Sequence, residues 1–195
     1  CHSKKQTRSR FSFVLTFFLV ACSSPSESED NARPVPCLST TSICTERIAI
    51  GSSVYLPVFS THSLSEGNTE VTRGLIIVHG ANRNADDYFR RGFQAAAAVG
   101  DQKSTVVVAP HFQTSSDNPA SDELFWSSSG WKRGHLSSTE GPRPRRSSYS
   151  AIDQIVDLLS DLARFPALTE ITMTGHSAGG QGAHRYAATS RAEEI

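Results

Sequence analysis

The sequence has no surplus of charge, few cysteines and no apolar run long enough to cross a membrane. Its 19 basic and 19 acidic residues cancel, so no field of one sign draws it to nucleic acid. Four cysteines among 195 residues are too few for a disulfide scaffold. The apolar stretch at residues 11–20 falls short of the ~20 residues a spanning helix needs. There is no metal-ligand cluster, phosphate-binding glycine loop, dinucleotide fingerprint or internal repeat. No metal and no cofactor is therefore expected. What is present is one domain's worth of chain, 37% hydrophobic, enough to bury a sizeable core.

The basic residues Lys4, Lys5, Arg8 and Arg10 precede that apolar stretch, the order of a secretory signal peptide over residues 1–21. Leu19, Val20, Ala21 and Cys22 resemble the bacterial lipobox, which makes Cys22 the lipidated residue. An exported protein, lipid-anchored to the cell envelope, is expected. Ser23 after Cys22 points to the outer membrane if the host is Gram-negative. The alternative is an ordinary signal peptide with an incidental cysteine. Residues 23–36 have almost no apolar content and cannot offset the entropy of ordering, so residues 22–46 are expected to form a disordered tether. Cys37 and Cys44 could close a small loop in an oxidising compartment or remain unpaired. Cys1 would leave with the signal peptide.

Residues 47–195 alternate strand and helix patterns. Residues 48–59 read as an opening hairpin, and 74–79, 104–109 and 170–174 as continuous apolar strands. Helices are expected over 86–99, 150–164 and 180–194. The helix over 150–164 keeps Ile152, Ile155, Val156, Leu158, Leu159 and Leu162 largely to one side. The fold class this pattern predicts is α/β: a mostly parallel sheet covered by helices on both faces. Residues 110–148 form a long aperiodic loop. Its Trp126 and Trp131 could line an acyl pocket or pack the loop, and its Arg143, Arg145 and Arg146 read as solvated rather than as a docking patch.

Two motifs carry chemistry. Gly175-His176-Ser177-Ala178-Gly179 is a G-x-S-x-G sequence after an expected strand and before an expected helix, the setting of a nucleophile elbow. The chain must turn within a few residues, so glycine flanks the serine on both sides. The helix N-terminus then aims N–H groups at developing negative charge. Val78-His79-Gly80-Ala81-Asn82 follows the first continuous strand.

Together the motifs resemble the α/β-hydrolase superfamily over residues 47–195, its front half through the nucleophile strand and helix. Gly179-Gly180-Gln181 and residues 131–134 look like an esterase or depolymerase branch. The resemblance implies Ser177 as nucleophile, and an oxyanion hole from the Ala178 N–H and that of Ala81, with Asn82 the alternative. His79, Gly80, Gly175, His176 and Gly179 support it. Family order puts the acid and the histidine after the serine. His184 sits two helical turns away, and His111, His135 and His176 are poorly placed. The partners are therefore expected beyond Ile195, and the chain alone to be inactive and poorly stable, with a bare sheet edge. The expected activity is hydrolysis of a small or polymeric carboxylic ester through an acyl-enzyme. A peptidase, thioesterase or lactonase on the same scaffold, or a non-catalytic surface lipoprotein, is the alternative.

Overall fold

The computed structural model describes residues 35–138 and 143–190. The chain divides into a unit over residues 1–32 and another over 33–195. The first unit lies outside the described residues, and with it the expected signal peptide and Cys22. The elements of the second are β1 (Thr45–Ala49), β2 (Tyr55–Ser60), β3 (Arg73–Val78), α1 (Ala85–Ala98), β4 (Thr105–Pro110), α2 (Ser148–Leu159), β5 (Glu170–Gly175) and α3 (Ala178–Thr189). Among the described residues no helix is long and apolar enough to cross a membrane.

The strands form one sheet in the order β1-β2-β4-β3-β5. β1 pairs antiparallel with β2, and β2 antiparallel with β4. β3 pairs parallel with both β4 and β5. The expectation of a mostly parallel sheet covered by helices on both faces is thus wrong: the sheet is mixed, and three α-helices accompany it among the described residues. The reason is the opening hairpin. No helix lies between β2 and β3 to carry the chain back across the sheet, and a parallel return needs such a crossover. β2 instead lies antiparallel against β4.

β4 is buried at all six positions and divides its side chains between two apolar clusters. Val106 and Val108 join Ile76, Ile152, Ile155 and Leu159, while Val107 and Ala109 join Phe89. β5 alternates between exposed and half-buried positions. Among the described residues its one neighbour is β3, so the strand that leads to the expected nucleophile lies at the edge of the described sheet.

The helix expected to reach Arg164 stops at Leu159. The Asp161 carboxylate accepts the Ala163 N–H at 2.9 Å and the Asp161 carbonyl accepts that of Arg164. This local side-chain turn competes with the helix and leaves Leu162 exposed. At the other end, the Ser147 hydroxyl accepts the Tyr149 N–H at 3.1 Å and caps α2.

The end of the stretch read as a tether is held to the sheet. Cys37 and Cys44 are buried and joined by a disulfide, and the Cys37 N–H donates to Thr61 O at 2.7 Å. The arginines of the long loop also make hydrogen bonds to main chain, although Arg145 stays exposed. Arg145 Nε donates to Ser137 O (2.9 Å) and Arg146 Nε to Ile50 O (3.3 Å). Arg143 lies over the Phe125 ring and donates to Ala120 O.

Candidate active site

Sheet register brings the two motifs together. Val78 at the end of β3 lies opposite Gly175 at the end of β5, so the loops that follow emerge side by side. On the β5 side, the chain turns into α3 within two residues. Ser177 sits at the turn with φ 55° and ψ −115°, a conformation that a side chain adopts only under strain. The flanking glycines are required by contact as well as by turning. A Cβ on Gly179 would lie 2.2 Å from Val78 O and 2.6 Å from His79 O. One on Gly175 would lie 2.6 Å from the Gly179 carbonyl carbon and 2.9 Å from Val78 O. Backbone therefore passes against backbone where β3, β5 and α3 meet.

On the β3 side, His79 is buried and neutral. Its Nε2 accepts the Phe112 N–H at 3.0 Å, and its Nδ1–H donates to Gly80 O at 2.9 Å. Burial lowers its pKa to about 4. The ring meets Trp131 at 4.8 Å and Phe112 at 6.0 Å. Gly80 O also accepts the Arg83 N–H at 3.1 Å. Since the peptide between Gly80 and Ala81 is planar and trans, fixing its C=O turns the Ala81 N–H the opposite way. That N–H and the Ala178 N–H have no acceptor among the described residues.

Arg83 holds the same loop from outside. It takes a left-handed conformation, φ 58°, and its guanidinium binds Asp117 at 2.6 and 3.2 Å. Partial burial would raise the Asp117 pKa, but Arg83 and Thr114 outweigh it and hold the carboxyl down at about 2.

Gly80, Ala81, Asn82, Asn84, Tyr88, Arg91, His176 and Ser177 line one cleft of about 560 Å³. The structure thus joins the expected elbow and the expected oxyanion loop in one cavity. His176 lines that cleft, its Nδ1 3.4 Å from Tyr88 Oη. His111 packs edge-on to His79, and burial lowers its pKa. His135 and His184 are exposed elsewhere. No described residue hydrogen-bonds Ser177 Oγ, and no described cluster of His, Cys, Asp and Glu could hold a metal. Trp126 and Trp131 pack the loop, with Phe112 stacked on Trp131 at 5.7 Å, and neither lines the cleft.

The sequence reading passed over Asn84, Tyr88 and Arg91. Their i, i+4, i+7 spacing at the start of α1 marks one helical face, the signal that could have found them.

No family model matches the chain, and no curated protein matches it. Among solved structures, it is similar to poly(aspartic acid) hydrolase-1 from Sphingomonas sp. KT-1, at 27% identity and a TM-score of 0.49. The match covers 73% of this chain and 49% of that one, so this chain spans about half that protein's length. At that score the functional reading rests on the residues of the site.

Proposed function

We propose that the chain carries the nucleophile and oxyanion hole of a serine hydrolase that cleaves carboxylic esters through an acyl-enzyme. The observation that supports this most is the strained Ser177 at the β5–α3 turn, opening on the same cleft as Ala81. Ser177 Oγ attacks the ester carbonyl. The oxyanion is held by the N–H groups of Ala178 and Ala81, each worth ~3 kcal/mol in the transition state. The carbonyl–alkoxide bond breaks, and water then hydrolyses the acyl-serine. A serine needs a base to be nucleophilic, so this reading places a histidine and its acid outside the described residues. The elbow and the His79 loop are the features shared with the α/β-hydrolase superfamily. Export with a lipid on Cys22 belongs to the same proposal, and the buried Cys37–Cys44 disulfide suits an oxidising compartment.

The lack of a described partner for Ser177 Oγ favours one other reading, a surface lipoprotein that binds rather than cleaves. Labelling by a fluorophosphonate separates the two. A hydrolase is labelled at Ser177 and the label disappears in Ser177→Ala. A folded natural protein that takes no label refutes the hydrolase reading.

A further inference from the structure

The cleft's lining holds one charged side chain, Arg91. It lies on α1 three residues beyond Tyr88 and seven beyond Asn84, so the three share a face that reaches the cleft. Arg91 makes no ion pair within 4 Å among the described residues. Asp87, one turn earlier, feels the charge of Arg91. That carboxylate is committed to Arg90 and to Asn84, whose Nδ2 donates to it at 2.8 Å. Neither Asp86 nor Asp87 lines the cleft.

We infer that the substrate of this cleft carries a carboxylate several bonds from the scissile carbonyl, received by Arg91. The inference rests on the serine-hydrolase reading. The position follows from α1: Tyr88 reaches His176 beside the nucleophile, and Arg91 lies about 4.5 Å further along the axis. The charge follows from the count, since a lone guanidinium with no second cation matches a monoanion. Asn82, Asn84 and the Tyr88 hydroxyl add polar groups to a wall that also holds Gly80 and Ala81, which suits an acyl chain with a hydrophilic end.

The test compares two esters of equal length in the natural protein: p-nitrophenyl hexanoate and the mono-p-nitrophenyl ester of adipic acid, whose terminal methyl is replaced by a carboxylate. The readout is the ratio of their kcat/KM values, which is independent of how much of a variant is folded. An exposed charge pair supports a preference of about fivefold for the adipate ester. Arg91→Ala brings the ratio to about one, Arg91→Lys keeps most of it, and Arg91→Glu turns it below one. High salt compresses it in the wild type. A wild-type ratio of one or less, or one that Arg91→Ala does not change, overturns the inference. If Ser177 still takes the fluorophosphonate in that case, the hydrolase reading survives. If it takes none, that reading fails and the inference with it.

Discussion

Gly179→Ala should be among the most damaging single-methyl additions to this protein. The new Cβ would sit 2.2 Å from Val78 O and 2.6 Å from His79 O, where a relaxed carbon–oxygen contact is ~3.4 Å. Relief needs a shift of roughly 1 Å. The obstacle is main chain at the end of β3, with Val78 held in register opposite Gly175, so no side chain can swing aside. Overpacking a core costs ~1–3 kcal/mol, and a rigid obstacle puts this case at the upper end, about 3 kcal/mol. Gly182 supplies the control. It lies on the same helix, and a Cβ there meets nothing nearer than 3.7 Å. Alanine in place of an interior helical glycine should stabilise by ~0.5–1 kcal/mol. The same substitution three residues apart is thus expected to differ in sign, with a gap of roughly 4 kcal/mol. Urea unfolding followed by circular dichroism measures both variants against wild type. If Gly179→Ala loses less than about 1 kcal/mol, the close approach of β3, β5 and α3 is wrong, and the elbow geometry with it.

His79 should make the protein acid-sensitive. Its folded pKa of about 4 lies below an unfolded value of ~6.5, so the unfolded chain binds its proton first. Stability is then complete above pH 6.5 and falls by about 3 kcal/mol as the pH drops from 6.5 to 4; His111, shifted the same way, adds to the fall. Urea midpoints at intervals of half a pH unit that stay flat across this window would contradict a buried neutral His79. Reducing the Cys37–Cys44 disulfide, which spans seven residues, should lower stability by ~2.5 kcal/mol on the chain-entropy model. Peptide mapping after thiol labelling of the unreduced protein should find Cys37 and Cys44 unlabelled; prompt labelling at either would refute the bond. Tyr186 donates to Asp153 Oδ1 at 2.8 Å and ties α3 to α2, so Tyr186→Phe should cost ~1 kcal/mol. An unchanged urea midpoint would show that the bond contributes nothing.

What the sequence reveals tracks how local the cause is. Helix α2 is legible because its apolar spacing lies within the segment, as with Ile152, Ile155 and Leu159. The tight strand-to-helix turn at Ser177 is legible because glycines stand two residues either side of it. The antiparallel β2–β4 pairing is not, since Val58 meets Pro110 across more than fifty residues and apolar strand runs say nothing of direction. The end of α2 was misplaced because Leu162 continues the apolar spacing, while Asp161 breaks the helix through one side-chain bond. The tie of Arg146 was not legible because its acceptor, Ile50 O, is distant in sequence. His79 was recognised by its place before Gly80, but its work depends on Phe112, 33 residues on.

Two different devices hold the two halves of the site. Ser177 is held by backbone packing: the strain of its φ 55°, of order 1–3 kcal/mol, persists because Gly175 and Gly179 let β3, β5 and α3 close around it. The Ala81 amide is held by a side chain. His79 spends both ring nitrogens on it, one anchored to the Phe112 amide and the other turning Gly80 O away from the cleft. A charged imidazolium would lose the acceptor that Phe112 needs, so the burial that keeps His79 neutral also keeps the amide aimed. Arg83 and Asp117 fix the loop's outer turn. None of these four side and main chains needs to touch a substrate. An oxyanion hole works by being in position before charge develops, and on the proposed reading that position is set by a buried histidine whose two ring nitrogens are already engaged.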